Sequence, residues 1–213
     1  MYAPKHFREE RQEVLVDMIK QLKFGLLVAA PEDGQLEAVN LPMLLKSQSD
    51  KLYLETHVGV ANPIWKSAKD ISSLIVFQGP QAYIRPGWYP LKHENGKAVP
   101  TWNYVSIQAR GNLIAVLDRH WLKNHVDDLS HFMEVDRDEP WSIDDAPTEY
   151  IETMLNGIVG LRIEVASLEG IWKMNQNHPK ANRLGAVEGL TNTELESNLE
   201  VSDIMKEIES LRQ

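Results

Sequence analysis

The stretch Val159-Gly160-Leu161-Arg162-Ile163-Glu164-Val165 alternates apolar and charged residues with a period of two. That period puts Val159, Leu161, Ile163 and Val165 on one face of a β-strand and Arg162 and Glu164 on the other. A second run behaves alike: Val105, Ile107 and Ala109 lead past Gly111 into an apolar stretch ending at Leu117. Both predict long strands with one face in a core. Toward the N-terminus, shorter strand-like runs cover Phe24 to Ala30, Leu36 to Lys46, Lys51 to His57 and Leu74 to Phe77. Turn residues stand at Pro31 to Gly34 and Ser47 to Asp50. Short, closely spaced strands of this kind predict an antiparallel barrel.

Helical periodicity frames these strands. Near residues 8–23, Val14, Leu15, Met18, Ile19 and Leu22 form an apolar stripe among charged positions. Gly59 to Ala68 reads as a short helical insertion with Pro63 near its start. Residues 118–155 read as an acidic helical insertion, and Asp145, Pro147 and Glu149 signal the start of a helix ending at Leu155. Thr193 and Glu196 have capping-box spacing ahead of a stripe of Leu195, Leu199, Ile204, Ile208 and Leu211. The expected fold class is α+β, mainly β: an antiparallel barrel decorated with helices. Its expected limits are one domain over 1–190, with the N-terminal helix and the 118–155 insertion, and a C-terminal helical tail over 191–213.

The 213 residues suit one or two cores, and 43% hydrophobic with 25% charged residues is a globular composition. No apolar run approaches the ~20 residues of a membrane span, and MYAPKHFREE lacks the apolar stretch of a signal peptide, so a cytoplasmic protein is expected. The absence of cysteine excludes disulfides, thiolate nucleophiles and cysteine-ligated metals. The net charge of −9 is unevenly spread: residues 118–152 hold eleven acids against three Lys/Arg, and 188–213 hold seven against two. By contrast, Ile171 to Leu184 carries Lys173, Lys180 and Arg183 with no acid, and Gln81 to Arg110 carries four basic residues against Glu94. Local positive charge in an acidic chain suits a small anion better than a nucleic-acid duplex, which needs many phosphate contacts on one face.

Metal chemistry finds little support in the histidines. His120, His125 and His131 lie in one expected helix at offsets of five and six, and the two that share a face are about 16 Å apart. Polar and aromatic clusters at strand ends are more informative. They are His57 to Trp65, Phe77 to Tyr89, Val99 to Tyr104 and Leu168 to Asn177, and together they hold four of the six tryptophans. Such clusters offer amides and backbone for the edge of a flavin ring, aromatic faces for its plane, and cations with hydroxyls for its phosphate. The same aromatics serve equally well as core or interface anchors.

The motifs H-x-x-x-A-N-P-x-W at 57–65, F-x-G-P-x-A-Y-I at 77–84, V-P-T-W-N-Y at 99–104 and W-K-x-x-Q-N at 172–177 occur in this order after the opening MYAPKHF. In these the chain resembles the PaiB family of FMN-binding negative transcriptional regulators, from the first residue to about Leu184. The resemblance implies a split barrel like those of flavin reductases and pyridoxamine-phosphate oxidases, and a homodimer with FMN near the subunit interface. It also implies repression of sporulation and protease genes. Two motifs depart from the family. Its S-P-S-W-Y reads Arg85-Pro86-Gly87-Trp88-Tyr89, and its G-K-W-K reads Gly170-Ile171-Trp172-Lys173.

Arg85, although it departs from the family motif, and Lys173 are the expected cations for the phosphate of a bound FMN, with Thr101 as a hydroxyl donor nearby. Asn62, Asn103, Gln176 and Asn177 are the expected amide partners for its ring and ribityl chain. Trp65, Tyr83, Trp88 and Trp102 wall the flavin, and His57 touches the cofactor or caps the next helix. The alternatives are a flavin-dependent oxidoreductase using the same pocket and a cofactor-free interaction module. No helix-turn-helix pattern is visible, so the charge pattern gives direct DNA binding no support.

Overall fold

The computed structural model describes residues 1–30, 34–193 and 195–212. In chain order it contains β1 (Arg8–Glu9), α1 (Gln12–Leu22), β2 (Phe24–Ala29), β3 (Glu37–Pro42), β4 (Leu44–Gln48), β5 (Lys51–Gly59), α2 (Ile64–Ser67) and β6 (Lys69–Ile84). These are followed by α3 (Pro90–Asn95), β7 (Thr101–Val116), α4 (Arg119–Glu134), α5 (Thr148–Leu155), β8 (Ile158–Lys173), α6 (Lys180–Thr191) and α7 (Glu196–Ser210). The strands are hydrogen-bonded in the order β3-β2-β6-β7-β8-β5-β4, and β1 pairs with the end of β8. The pairings of β1 with β8, of β2 with β3 and β6, and of β5 with β4 and β8 are all antiparallel, as expected. Among the described residues no helix is long and apolar enough to cross a membrane.

The chain divides into two compact units. One comprises Val16–Phe77 and Gln108–Leu168; the other comprises Met1–Leu15, Gln78–Ile107 and Glu169–Gln213. In the first unit, β5 lies between β4 and β8, with Glu55 opposite Leu44 on one side and Arg162 on the other. The alternation of β8 buries Leu161 and Ile163 completely. Gly111 allows β7 to approach β8 closely, because a side chain there would collide with the Glu164 carbonyl oxygen. A small core of Leu122, Ile143, Ile151 and Leu155 joins α4 to α5. In the second unit, Ala3 and Phe7 pack on Ile171, and Arg183 of α6 grips Glu209 of α7 through two hydrogen bonds of 2.7 and 2.9 Å.

Several expectations need correction. The Leu36 to Lys46 run is two strands broken at Met43, since Pro42 has no N–H for the ladder and the Met43 N–H turns to the Lys23 carbonyl. The Leu74 to Phe77 run is the middle of a strand starting at Lys69, whose next residue, Asp70, takes a positive φ of 65°. The Val159 to Val165 strand continues to Lys173. Helix α6 has no counterpart in the sequence reading, because Gly185 and Gly189 weaken its periodicity. Both glycines are needed there for close packing against Trp88. The capping box fails: α7 starts after Leu195 with no side-chain cap, while the Thr193 hydroxyl donates to the Leu190 carbonyl and accepts from Asn198. The buried face of α7 is Val201, Ser202 and Met205, and Leu195, Leu199 and Leu211 are exposed. The turn expected from Pro31 lies outside the described residues up to Gly34.

The start signal at Asp145, Pro147 and Glu149 is met in position only: α5 begins at Thr148 with no side-chain cap, and the Asp145 carboxylate accepts the Ser142 N–H instead. Asp118 caps α4 by accepting the Trp121 N–H at 2.6 Å. Asp118→Ala is expected to cost about 1 kcal/mol, which for a chain of this size lowers Tm by about 2–4 °C. A melting curve superimposable on the unaltered protein's would contradict it.

Candidate functional site

The residues singled out from the sequence separate between the two units. Tyr83, Arg85, Trp88, Thr101, Trp102, Asn103, Lys173, Gln176 and Asn177 lie in one, and His57, Asn62 and Trp65 lie in the other.

Lys173 ends β8 and Thr101 begins β7. The Lys173 ammonium donates to Thr101 Oγ1 at 2.6 Å and to the Trp102 carbonyl at 2.8 Å. Both acceptors are neutral, and among the described residues Lys173 pairs with no carboxylate. Burial pushes its pKa below the usual lysine value. The alternation of β7 turns Trp102 outward, 53% exposed, where it meets Tyr83, 44% exposed, edge to face at 5.9 Å between ring centroids. The Lys173 ammonium also lies 5.9 Å from the centroid of the Tyr104 ring, and a cation held on neutral acceptors has the chemistry to take an anionic group.

Next to Trp102, the same alternation turns Asn103 inward and buries it completely beneath α7. Its Nδ2 meets the Met205 sulfur at 3.3 Å, and its Oδ1 has no hydrogen-bond partner. Gln176 turns back on its own loop, accepting from the Met174 N–H and donating to the Trp172 carbonyl. Asn177 is an exposed turn residue.

Arg85 is exposed at the head of the Pro86–Trp88 turn and forms no ion pair among the described residues. Trp88 lies on α6, its ring over Gly189 and its carbonyl against Gly185. Three residues the sequence reading passed over hold this region together. Tyr89 is 1% exposed and accepts at its hydroxyl from Asn175 Nδ2 at 3.0 Å. Asn175 has a φ of 61°, a conformation that Asn tolerates better than most residues. His178 stacks on Tyr89 at 5.0 Å, and burial together with the nearby Lys173 charge lowers its pKa. Tyr89 and Asn175 both sit inside the quoted clusters, so the signal was a short polar residue next to a strand end, readable only with the φ angle in hand.

In the other unit, Asn62 Oδ1 accepts the Ile64 N–H at 3.0 Å and so opens α2. Trp65 Nε1 donates to the Val60 carbonyl. His57 Nδ1 lies 3.2 Å from His125 Nε2, a pairing that comparison of histidines within one helix could not reveal. His125 is 1% exposed, stacks on Trp121 at 5.1 Å and has no partner at Nδ1. The neighbouring carboxylate of Glu55, 2% exposed, lies between Lys46 and Arg162, at 3.2 and 3.1 Å. Among the described residues, no group of three or more His, Cys, Asp or Glu is arranged to hold a metal ion.

Known proteins are similar to this chain in sequence or in fold. A family model described as "Putative FMN-binding domain" matches residues 1–167. The chain is 30% identical over 208 residues to "Protease synthase and sporulation protein PAI 2" of Bacillus subtilis, covering 97% of each chain. Among solved structures it is similar to the flavocytochrome Anf3 of Azotobacter vinelandii, with a TM-score of 0.55 and 9% identity over 80% of this chain and 72% of that one. It is equally similar to an FAD and haem binding protein of Mycobacterium smegmatis, with a TM-score of 0.55 and 11% identity over 84% of this chain and 79% of that one. The fold is the split barrel that the sequence implies.

Proposed function

The chain belongs to the FMN-binding domain family, and from that premise we propose that it is a PaiB-like, flavin-binding regulator that works in the cytoplasm as a homodimer. The observation that carries the flavin part is Lys173, an ammonium held on two neutral acceptors with no carboxylate partner among the described residues. FMN fits this donor set. Its phosphate is a dianion above pH ~6 and takes Lys173 with Thr101, while Arg85 adds a second, exposed cation. Trp102 and Tyr83 give the ring an aromatic wall. The amides once assigned to its polar edge are engaged elsewhere: Asn62 caps α2, Asn103 lies beneath α7 and Gln176 bonds its own loop. Trp88 serves α6, while Trp65 and His57 bond within the other unit. When bound, the flavin supplies a redox centre, and its occupancy biases the regulator.

The regulatory part rests on the relative named for protease synthesis and sporulation, 30% identical over nearly the whole chain. The acidic balance argues against a long duplex footprint on one chain, so regulation passes through the dimer rather than through a basic groove of the monomer.

The test is the visible spectrum of the protein after incubation with FMN and desalting, with its mass in solution measured alongside. A retained flavin band on a dimer is expected; a colourless monomer overturns the reading. Arg85→Ala is expected to weaken FMN only about threefold, because an exposed cation contributes ~0.3–1 kcal/mol. Cells lacking the gene should share one set of altered transcripts with cells carrying a flavin-free variant, and an unchanged profile would end the regulatory part.

A further inference from the structure

The Tyr89 to Asn175 hydrogen bond joins two segments that each carry a proposed phosphate cation. Arg85 heads the turn that ends at Tyr89, where the Trp88 N–H bonds the Arg85 carbonyl at 3.1 Å and the Tyr89 N–H bonds the Pro86 carbonyl at 3.1 Å. Lys173 lies two residues before Asn175, whose positive φ turns the chain sharply as β8 ends. The Asn175 amide then reaches the Tyr89 hydroxyl at 3.0 Å, with both side chains almost wholly buried.

Neither residue is available to a ligand, yet both lie where the spacing of the cations is set. The turn is braced on its other side by Trp88 on Gly185 and Gly189 of α6, and His178 closes the loop by stacking on Tyr89. Arg183 holds that stack in place by donating to the His178 carbonyl at 2.6 Å while it grips Glu209. A buried bond in such a frame is stiff, because leaving either partner unpaired is unfavourable.

We infer that Tyr89 and Asn175 are positioning residues whose single hydrogen bond fixes the Arg85 turn against the Lys173 strand end, and so sets the preference for a phosphorylated over an unphosphorylated flavin. This rests on the flavin reading above. The flavin ring meets Trp102 and Tyr83, which this bond does not touch, so losing it changes the phosphate end alone.

Tyr89→Phe keeps the buried ring and removes the acceptor. Asn175→Gly keeps the positive φ without strain and removes the donor. Dissociation constants for FMN and for riboflavin are measured with both variants and with the unaltered protein. FMN is expected to weaken up to about threefold in each, the ceiling that Arg85→Ala sets, with riboflavin unchanged. The double variant is expected to lose no more than either single one, because both remove the same bond. Equal weakening of FMN and riboflavin would mean general loosening and would overturn the inference. An unmoved ratio, or additive losses in the double variant, would overturn it too. A protein that binds neither flavin overturns the flavin reading itself, and this inference with it.

Discussion

Lys173→Met is expected to weaken FMN about thirtyfold while leaving riboflavin almost unaffected. The ammonium is anchored by Thr101 Oγ1 and the Trp102 carbonyl, so it is already oriented and loses little freedom when a ligand arrives. A hydrogen bond to a charged group is worth ~1.5–3 kcal/mol, which corresponds to roughly a 10- to 150-fold change in affinity. Methionine keeps the apolar stem of the side chain and removes the ammonium, together with its place over the Tyr104 ring, so the loss is one of charge. Riboflavin lacks the phosphate and serves as the internal control. Because burial lowers the pKa of Lys173, FMN affinity is also expected to fall at a lower alkaline pH than an ordinary lysine would give. Titration of both flavins by fluorescence decides the matter. Equal losses for the two ligands would remove Lys173 from the phosphate and return it to a structural role. That role is tying the start of β7 to the end of β8.

Much of this arrangement is legible in the sequence because strand alternation is a local signal. Val159 to Val165 and Val105 to Ala109 state their inward faces in a few residues, and the structure buries those faces except at Val165, which is half-buried. The same rule sends Trp102 outward and Asn103 inward, although motif reasoning assigned both to the flavin. Motifs identify residues that matter without saying which way they face. Helix α6 was hidden for a different reason. Its two glycines lower helix propensity, and their purpose, admitting Trp88, exists only in the folded chain. The α7 stripe misled because Leu195 and Leu199 have helical spacing, yet the core takes Val201 and Met205. The Tyr89 to Asn175 bond and the His57 to His125 pair join residues 86 and 68 positions apart, beyond the reach of any periodicity.

The protein is expected to lose stability steeply as pH falls below about 6.5, and His125→Phe is expected to flatten that loss. His125 lies on α4 with its ring stacked on Trp121, facing His57 from β5, with the charges of Lys46 from β4 and Asp128 from its own helix nearby. Burial, followed by His57 and Lys46, lowers its pKa to about 3, against a weaker opposing pull from Asp128. Burial lowers His57 in the same direction. In the unfolded chain these rings protonate near pH 6.5, so below that pH the unfolded state binds more protons than the folded one. The stabilisation is therefore complete above pH 6.5 and shrinks as pH falls toward 3. At pH 5, about 1.5 pH units below the unfolded value, His125 alone accounts for a loss of about 2 kcal/mol. For a chain of this size that is a fall in Tm of about 4–8 °C. Phenylalanine keeps the stack on Trp121 and has no proton to bind, so the Tm of the variant should decline by less than half as much between pH 7.5 and 5. Parallel declines would mean that His125 takes up its proton without unfolding. The imidazole pair would then open within the folded state, with His57 giving way and α4 loosening from β5.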